Sequence, residues 1–224
     1  MKSRLSRATD VATIVIAICA VSVTGVVLKR ELFSAHVAPT QQRLDTLNPE
    51  LWKRVSGSGH RLGAPVGRVQ IVEFGDYQCP FCARMEKTLA SLRRRYPQEL
   101  TVVYRHWPLD RHPFAYTAAK ASLCAEEQGQ FEGVHAALYA NQDSIGRAGY
   151  DYFARMGRIP DVAGFLECVR TSARVPRIDA DAALALEINA TGTPAIVVNG
   201  IRFRHVPDSA ALEAIVRDAL AGGR

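Results

Sequence analysis

The sequence lacks the paired ligand clusters that bind structural zinc. It has five cysteines in 224 residues, and only one pair, Cys79 and Cys82, has the CxxC spacing. There is no second CxxC pair and no HxxxH pair. Because structural zinc usually takes four ligands from two such pairs, we expect no metal site. No segment of the sequence indicates a cofactor.

The chain also lacks the features of a nucleic-acid-binding protein, and it contains no internal repeat or low-complexity tract. Lys and Arg number 28 against 22 Asp and Glu, a net charge of +6, but the arginines are scattered rather than interleaved with aromatic residues. The run Arg93–Arg95 is explained by a helix C-terminus, where cations are favourable. We therefore expect no nucleic-acid partner. With 48% apolar residues, the composition is that of a globular domain with appendages.

One long uncharged run lies near the N-terminus. Residues 1–10 carry Lys2, Arg4 and Arg7, and residues 11–28 carry no charge. A helix of that length spans about 27 Å, just enough to cross a bilayer. We predict a transmembrane signal anchor over 11–28, with residues 1–10 in the cytoplasm. The alternative is a cleaved secretory signal. In either case the rest of the chain is exported, to a compartment where disulfides persist.

A polar segment separates the predicted anchor from the main domain. Residues 29–67 are predicted to be a tether with a short helix near Pro49–Val55. The domain then covers residues 68–222. We expect it to lie outside the cell membrane, in the periplasm or at the cell exterior, on a single-pass anchor.

The CxxC pair lies where a strand pattern changes to a helix pattern. Val69–Phe74 alternates and is rich in β-branched and aromatic residues, which predicts a strand. After Cys82, apolar residues recur at helical spacing. This places Cys79 at a helix N-terminus and Pro80 in the first turn, where its missing N–H costs nothing.

That position favours a reactive thiol. Unpaired N–H groups and the positive end of the helix stabilise a thiolate, and CxxC thiols in such places have pKa values of roughly 3.5–7.5. We expect Cys79 to be the exposed attacking sulfur and Cys82, one turn inside, to be the resolving partner. Half of a zinc site or a structural disulfide would be the alternatives for an isolated CxxC pair. A copper- or zinc-binding chaperone would prefer a Met- or His-rich neighbourhood, but only Met85 is near.

A second feature lies more than a hundred residues downstream. Thr191–Gly200 places Pro194 at the start of an apolar strand, where a proline removes no ladder hydrogen bond. Asn199-Gly200 then predicts a tight turn, and Ile201–Val206 a second strand of a hairpin. Between about 110 and 189 the chain shows several helical segments and no good strand. Taken alone, Pro194 could be an ordinary proline of an edge strand.

Together these segments resemble the DsbA-like thiol–disulfide oxidoreductases, which have a thioredoxin-like α/β fold with an inserted all-helical subdomain. The matching residues are Glu73-Phe74, Asp76–Cys82, Trp107–Leu109, Cys124-Ala125, Gln128–Phe131, Gly192–Pro194 and Asn199-Gly200. The resemblance implies that Pro194 is cis and faces the CxxC pair, and that Thr193 offers backbone hydrogen bonds to substrate. We assign substrate contact to these two residues and to Pro80 and Phe81.

Two further groups carry predictions. Glu73 lies on the strand that leads to the CxxC pair, where a half-buried carboxyl group with a raised pKa could take the proton from Cys82 as Cys82 attacks the mixed disulfide. The resemblance supports this role, and a strand-end surface ion pair is the alternative.

Cys124 and Cys168 are expected to form a structural disulfide. Closing a loop of about 45 residues would stabilise the fold by roughly 4 kcal/mol. Two small buried apolar side chains are the alternative. His106 and His112 are expected to be hydrogen-bonded loop histidines.

The sequence therefore predicts an exported protein-disulfide oxidoreductase that introduces disulfides into cysteine-containing envelope or secreted proteins. The resemblance implies a membrane redox partner of the DsbB or VKOR type. A reductase or isomerase on the same scaffold is the alternative. One departure from the strongest oxidants of this type is Phe81, because they have a histidine between the cysteines. We therefore expect a less oxidising couple.

Overall fold

The computed structural model describes residues 44–171 and 173–222. The predicted cytoplasmic segment 1–10, the predicted anchor 11–28 and the first part of the predicted tether lie outside these residues. Among the helices of the described ranges, none is both long enough and apolar enough to cross a membrane.

The described residues form a mixed sheet. Its strands are β1 (Leu44–Thr46), β2 (His60–Gly63), β3 (Val69–Gly75), β4 (Leu100–His106), β5 (Ala195–Val198) and β6 (Ile201–Phe203). Their order across the sheet is β1-β6-β5-β3-β4-β2. The central strands β3 and β4 are parallel, and the other neighbouring pairs are antiparallel.

The helices lie between and beside these strands. They are α1 (Pro49–Gly57), α2 (Pro80–Arg95), α3 (Ala115–Glu126), α4 (Phe131–Ala140), α5 (Tyr150–Met156), α6 (Val162–Arg170), α7 (Pro176–Glu187) and α8 (Ser209–Leu220), with a short 3-10 helix at Gln142–Ser144. From α3 to α7 the described residues form helices and connecting loops but no strand, as predicted for the helical insertion. Asp208 caps α8, since its Oδ1 accepts a hydrogen bond from the N–H of Ala211 at 2.8 Å.

The alternation of side chains along β3 divides the core into two layers. Val69 and Ile71 belong to the larger apolar cluster, which also contains Cys82 and residues of the insertion. Val72 and Phe74 belong to the smaller cluster, together with residues of α1 and α7. Glu73 lies between Val72 and Phe74, so the alternation directs it to the same face as Ile71, beneath the CxxC pair.

The prediction of a tether over residues 29–67 is wrong for its second part. β1 pairs with β6, and β2 pairs with β4, so both edges of the sheet come from this segment. Val55 of α1 is fully buried. The buried Arg105 donates from Nε to the carbonyl of Val55 at 2.8 Å and pairs with Asp181. The segment has a polar composition because edge strands, and a helix that packs with only one face, bury few side chains. The backbone hydrogen bonds of the strands cannot be recognised from the amino-acid composition.

The hairpin after Pro194 is present, but its second strand is shorter than predicted. Asn199 and Gly200 both have positive φ, 46° and 84°, as tight hairpin turns require. Strand β6 ends at Phe203 rather than Val206, and its pairing with β5 ends at Arg202. The next side chain, Arg204, instead binds the carboxylate of Asp45.

Candidate active site

The CxxC pair begins α2, as the sequence predicts. Cys79 is the N-cap residue with extended backbone angles, and Pro80 occupies the first turn. In the protonated form of Cys79, its thiol donates to the carbonyl oxygen of Thr193 at 3.3 Å. The expected exposure of Cys79 is wrong: the residue is 1% exposed and Cys82 is 0% exposed. Cys79 is covered because the Thr193–Pro194 segment and the side chain of Gln142 lie against it.

The two thiols of the pair differ strongly in acidity. The pKa of Cys79 is lowered from 9.0 to about 5, first by a hydrogen bond from the Cys82 thiol, against the opposing effect of burial. The side chain of Thr193 and the backbone N–H groups of Cys82 and Phe81 add to this lowering. Burial raises the pKa of Cys82, and its hydrogen bond to Cys79 and the nearby Glu73 raise it further. Cys79 is therefore a thiolate at neutral pH, and Cys82 is a thiol.

The second predicted segment lies against the first. The Thr193–Pro194 peptide bond is cis, as the family resemblance implied. The contact between the Cys79 sulfur and the Thr193 carbonyl joins residues 114 positions apart in the sequence. Thr193 is buried beside this sulfur. The structure thus brings a nucleophilic sulfur beside a backbone segment whose polar groups can receive an extended peptide.

Glu73 is more deeply buried than the predicted half-buried carboxyl group. It is 0% exposed, and neither carboxylate oxygen has a hydrogen-bond partner in the described part of the chain. Burial raises its pKa well above the ordinary value, and the negative charge of Glu86 raises it further. The alternative, a surface ion pair, is excluded by this burial. Burial without a hydrogen-bond partner therefore favours the protonated form of Glu73, which can give its proton inside the core.

A buried polar cluster next to Glu73 escaped the sequence analysis. Glu86 on α2 lies 3.2 Å from Nε2 of the fully buried His135, whose Nδ1 is 2.9 Å from the Tyr77 hydroxyl. Arg93 donates to Glu86 at 3.1 Å. Burial raises the pKa of Glu86, but His135 and Arg93 outweigh it, so the net pKa is lowered. These residues look like ordinary surface positions of amphipathic helices, and only the packing of α4 on α2 buries them together.

The two histidines singled out from the sequence occupy different environments. His112 follows the prediction, since it lies in a loop with its Nδ1 2.7 Å from Oδ2 of Asp76. The prediction for His106 is wrong. It ends β4, is 1% exposed, and has no hydrogen-bond partner on either ring nitrogen among the described residues. Burial lowers its pKa to about 3, so the ring is neutral.

The residues between the cysteines face outward. Pro80 is exposed, and Phe81 is 59% exposed with the guanidinium of Arg84 stacked 4.4 Å from its ring centre. Phe114 of the insertion is a second exposed aromatic side chain, and its N–H donates to the side chain of Gln78 at 2.6 Å. An apolar surface thus begins directly beside Cys79.

Cys124 and Cys168 are joined by a disulfide with a Cα–Cα distance of 5.9 Å. It connects α3 to α6 within the insertion. Cys79 and Cys82 are both free thiols, so the structure describes the reduced state of the CxxC pair. Within residues 44–171 and 173–222, no group of three or more His, Cys, Asp or Glu side chains is arranged to hold a metal ion.

The comparisons with known proteins agree with this architecture. Residues 55–218 match the sequence model of the family described as thioredoxin. A thioredoxin-like oxidoreductase from Silicibacter pomeroyi superposes with a TM-score of 0.64 at 27% identity, over 77% of this chain and 98% of that one. The oxidised DsbA of Mycobacterium tuberculosis superposes with a TM-score of 0.55 at 20% identity, over 73% of this chain and 93% of that one.

The chain therefore belongs to the thioredoxin family. Within that family its fold is DsbA-like, as its sequence predicted.

One curated relative adds a different context. The Na(+)/H(+) antiporter NhaA 1 of Mycolicibacterium gilvum is 37% identical over 159 residues, which are 68% of this chain and 25% of the antiporter. The chain thus spans about a quarter of the length of this relative.

Proposed function

We propose that the protein is an exported, membrane-anchored thiol oxidase that introduces disulfides into cysteine-containing proteins of the cell envelope. The observation that carries this proposal is the position of Cys79 at the N-terminus of α2, where the Cys82 thiol and the N–H groups of Phe81 and Cys82 lower its pKa to about 5. A thiolate stabilised at neutral pH stabilises the reduced enzyme, which makes the Cys79–Cys82 disulfide a better oxidant.

The proposed reaction starts from the oxidised enzyme. A substrate thiolate attacks the sulfur of Cys79, the Cys79–Cys82 bond breaks, and its electron pair leaves on Cys82. The neutral carboxyl group of Glu73 gives its proton to Cys82. The substrate's second thiolate then attacks its own sulfur in the mixed disulfide, and Cys79 leaves as a thiolate. The substrate loses two electrons to become a disulfide, and the enzyme gains them.

The proposed substrate contacts follow from the geometry around Cys79. An extended peptide can pair with the backbone at Thr193 and Pro194, while Phe81 and Pro80 supply exposed apolar surface beside the sulfur. Reoxidation of the enzyme would use a membrane partner of the DsbB or VKOR type. An anchor over residues 11–28 would hold the domain at the membrane surface where such a partner lies.

The redox equilibrium with glutathione tests the direction of electron flow. The full chain in detergent micelles is equilibrated with mixtures of reduced and oxidised glutathione. The thiol oxidase proposal expects a couple more oxidising than the thioredoxin value of about −270 mV, and faster oxidation of a reduced substrate protein than reduction of insulin. A value at or below that of thioredoxin, with efficient insulin reduction, would instead support the reductase or isomerase alternative. Cys79→Ser is the control and should lose both activities.

Phe81 limits how oxidising the couple can be. Because it can neither donate a hydrogen bond nor carry charge, Phe81→His should lower the pKa of Cys79 further and shift the couple by tens of millivolts towards oxidising, about 30 mV for each 1.4 kcal/mol. An unchanged pKa and potential in this variant would contradict the electrostatic argument.

A second candidate function follows from the antiporter relatives. A domain 37% identical to part of an antiporter could control the disulfide state of a transporter in the same membrane. Sodium–proton exchange in membrane vesicles would then differ between cells with the native chain and cells with the Cys79→Ser variant. An equal exchange rate, with disulfides lost from other envelope proteins, would support the thiol oxidase instead.

A further inference from the structure

The loop that carries the nucleophile is held by side chains that cross between it and the helical insertion. We call residues 76–79 the CxxC loop. Asp76 accepts from the N–H of Leu109 at 2.8 Å, and Gln78 accepts from the N–H of Phe114. These two contacts hold side chains of the loop. A third contact, from Gln142, holds the loop backbone itself.

Gln142 begins the short 3-10 helix after α4 and is 63 residues from Cys79 in the sequence. Its side-chain nitrogen donates to the carbonyl oxygen of Tyr77 at 2.7 Å and to that of Cys79 at 2.9 Å. Both N–H bonds of one amide are thus used on two carbonyls that flank Gln78. The Cys79 carbonyl also accepts the first hydrogen bond of α2, from Ala83 at 3.2 Å.

This contact fixes the orientation of the peptide from which the reactive sulfur projects. The thiolate of Cys79 is stabilised by groups in fixed positions, which are the Cys82 thiol, Thr193 and the N–H groups at the start of α2. A small rotation of the Cys79 backbone would move the sulfur away from all of them. In the oxidised enzyme the Cys79–Cys82 bond itself restrains this backbone. In the reduced enzyme that bond is absent, so the restraint from Gln142 matters more.

We propose that Gln142 is a positioning residue through which the helical insertion sets the redox equilibrium of the Cys79–Cys82 couple. It stabilises the reduced enzyme more than the oxidised one and so makes the couple more oxidising. Gln142 does not touch the reacting sulfur atoms; it acts through the backbone of Cys79. The proposal rests on the proposed thiol–disulfide exchange at this pair.

The test compares Gln142→Met with wild type and with Gln128→Met. Methionine has nearly the length of glutamine but cannot donate to the two carbonyls. Gln128 is a matched control because its amide also makes two backbone hydrogen bonds within the insertion, both to Asp161 at 3.0 Å, but it makes none to the CxxC loop. The full chain in detergent micelles is equilibrated with glutathione, and the ratio of reduced to oxidised enzyme is measured after acid quenching.

We expect Gln142→Met to lower the equilibrium constant for reduction of the enzyme by about fivefold, the effect of losing roughly one net hydrogen bond from the reduced state. The apparent pKa of Cys79, followed by thiolate absorbance, should rise in the same variant. Gln128→Met should leave both quantities within about twofold of wild type. If Gln142→Met does not fold, Gln142→Glu gives the same test, because an ionised carboxylate repels both carbonyls and should lower the constant at least as much.

Three results would overturn the proposal: an unchanged equilibrium constant in Gln142→Met, an equal shift in both methionine variants, or an equal loss of unfolding free energy in the reduced and oxidised forms. Each would show that Gln142 only supports the fold. A wild-type chain that fails to exchange with glutathione would instead contradict the proposed function. The two failures are therefore distinguishable.

Discussion

The cysteines of the CxxC pair occupy neighbouring positions in one helical turn but have opposite acid–base behaviour. Cys79 lies at the helix start, where hydrogen bonds stabilise its anion. Cys82 lies in the core above Glu73, where burial opposes ionisation. This difference makes the direction of attack specific, since only one sulfur is an anion at neutral pH.

The acidity of Cys79 predicts the pH dependence of its reaction. The rate of iodoacetamide alkylation of the reduced protein should reach a plateau above about pH 7 and fall as the pH drops through about 5. Because the folded pKa lies below the unfolded one, the stability that Cys79 contributes is complete above pH 9 and is lost as the pH falls towards 5. Peptide mapping identifies the modified residue. A midpoint near pH 9, or primary labelling of Cys82, would contradict the assignment.

Removal of the buried carboxyl group of Glu73 is expected to make the protein more stable but less active. Its pKa is raised in the fold, so stability falls as the pH rises above the ordinary carboxyl pKa. Glu73→Leu should raise the unfolding free energy at pH 8 by about 1–3 kcal/mol, because it removes a buried polar group without partners. It should also slow thiol exchange, because Cys82 loses its proton source.

Urea denaturation at pH 4 and pH 8 measures the stability part of this prediction. Glu132→Gln is the control, since the side chain of Glu132 is 66% exposed. The effect of Glu73→Leu should be larger at pH 8 than at pH 4. Equal exchange rates in wild type and variant would remove Glu73 from the mechanism.

At the scale of elements, the active site is an assembly of three separate pieces. Helix α2 supplies the two cysteines, the segment before β5 supplies Thr193 and Pro194, and the helical insertion supplies Gln142. Parallel pairing of β3 with β4 and antiparallel pairing of β3 with β5 place the first two pieces side by side. The insertion must keep its own shape to hold the third.

A disulfide joins α3 to α6 within the insertion. Replacing Cys124 and Cys168 together by alanine removes a covalent link across 44 residues. We expect a loss of roughly 4 kcal/mol in the free energy of unfolding, mainly through the greater freedom of the unfolded chain. Urea denaturation of the oxidised protein measures this loss. The redox potential of the Cys79–Cys82 pair should remain unchanged, and a shift would mean that the disulfide also acts on the active site.

At the scale of the whole molecule, the segment before β3 is part of the domain. Residues 44–63 supply both edge strands and α1, and they satisfy the buried guanidinium of Arg105 with backbone carbonyls at Val55 and Arg54. Without them, the Arg105–Asp181 ion pair would lose part of its hydrogen bonding and become exposed.

Two truncations test this boundary. A chain of residues 44–224 should fold and exchange with glutathione, because it keeps every strand of the described sheet. A chain of residues 68–224 should lose at least about 3 kcal/mol of unfolding free energy. It lacks the two edge strands β1 and β2, and it also lacks the carbonyl groups that bind the buried Arg105 of the Arg105–Asp181 ion pair. Urea denaturation compares the two. Equal stability would restore the original prediction of a tether that ends at residue 67.

The parts of the active site that are formed by residues adjacent in the sequence could be predicted from the sequence. Pro80 after Cys79 and the helical pattern beyond Cys82 indicate a helix N-terminus directly. Asn199-Gly200 likewise indicates the hairpin turn after Pro194. Gln142, His135 and Glu86 could not be found this way, because each acquires its partners only when distant helices pack. The burial of Cys79 was missed for the same reason, since the residues that cover it come from far along the chain.

The sequence by itself determined the family, the strand-to-helix junction that carries the reactive pair and the hairpin after Pro194, because periodicity, turn residues and a helix start are properties of short stretches. Only the tertiary structure decided which carboxyl group is neutral, which segments complete the sheet and which amide holds the nucleophile. Burial and long-range hydrogen bonds set these properties, and both depend on residues that meet only when the chain has folded.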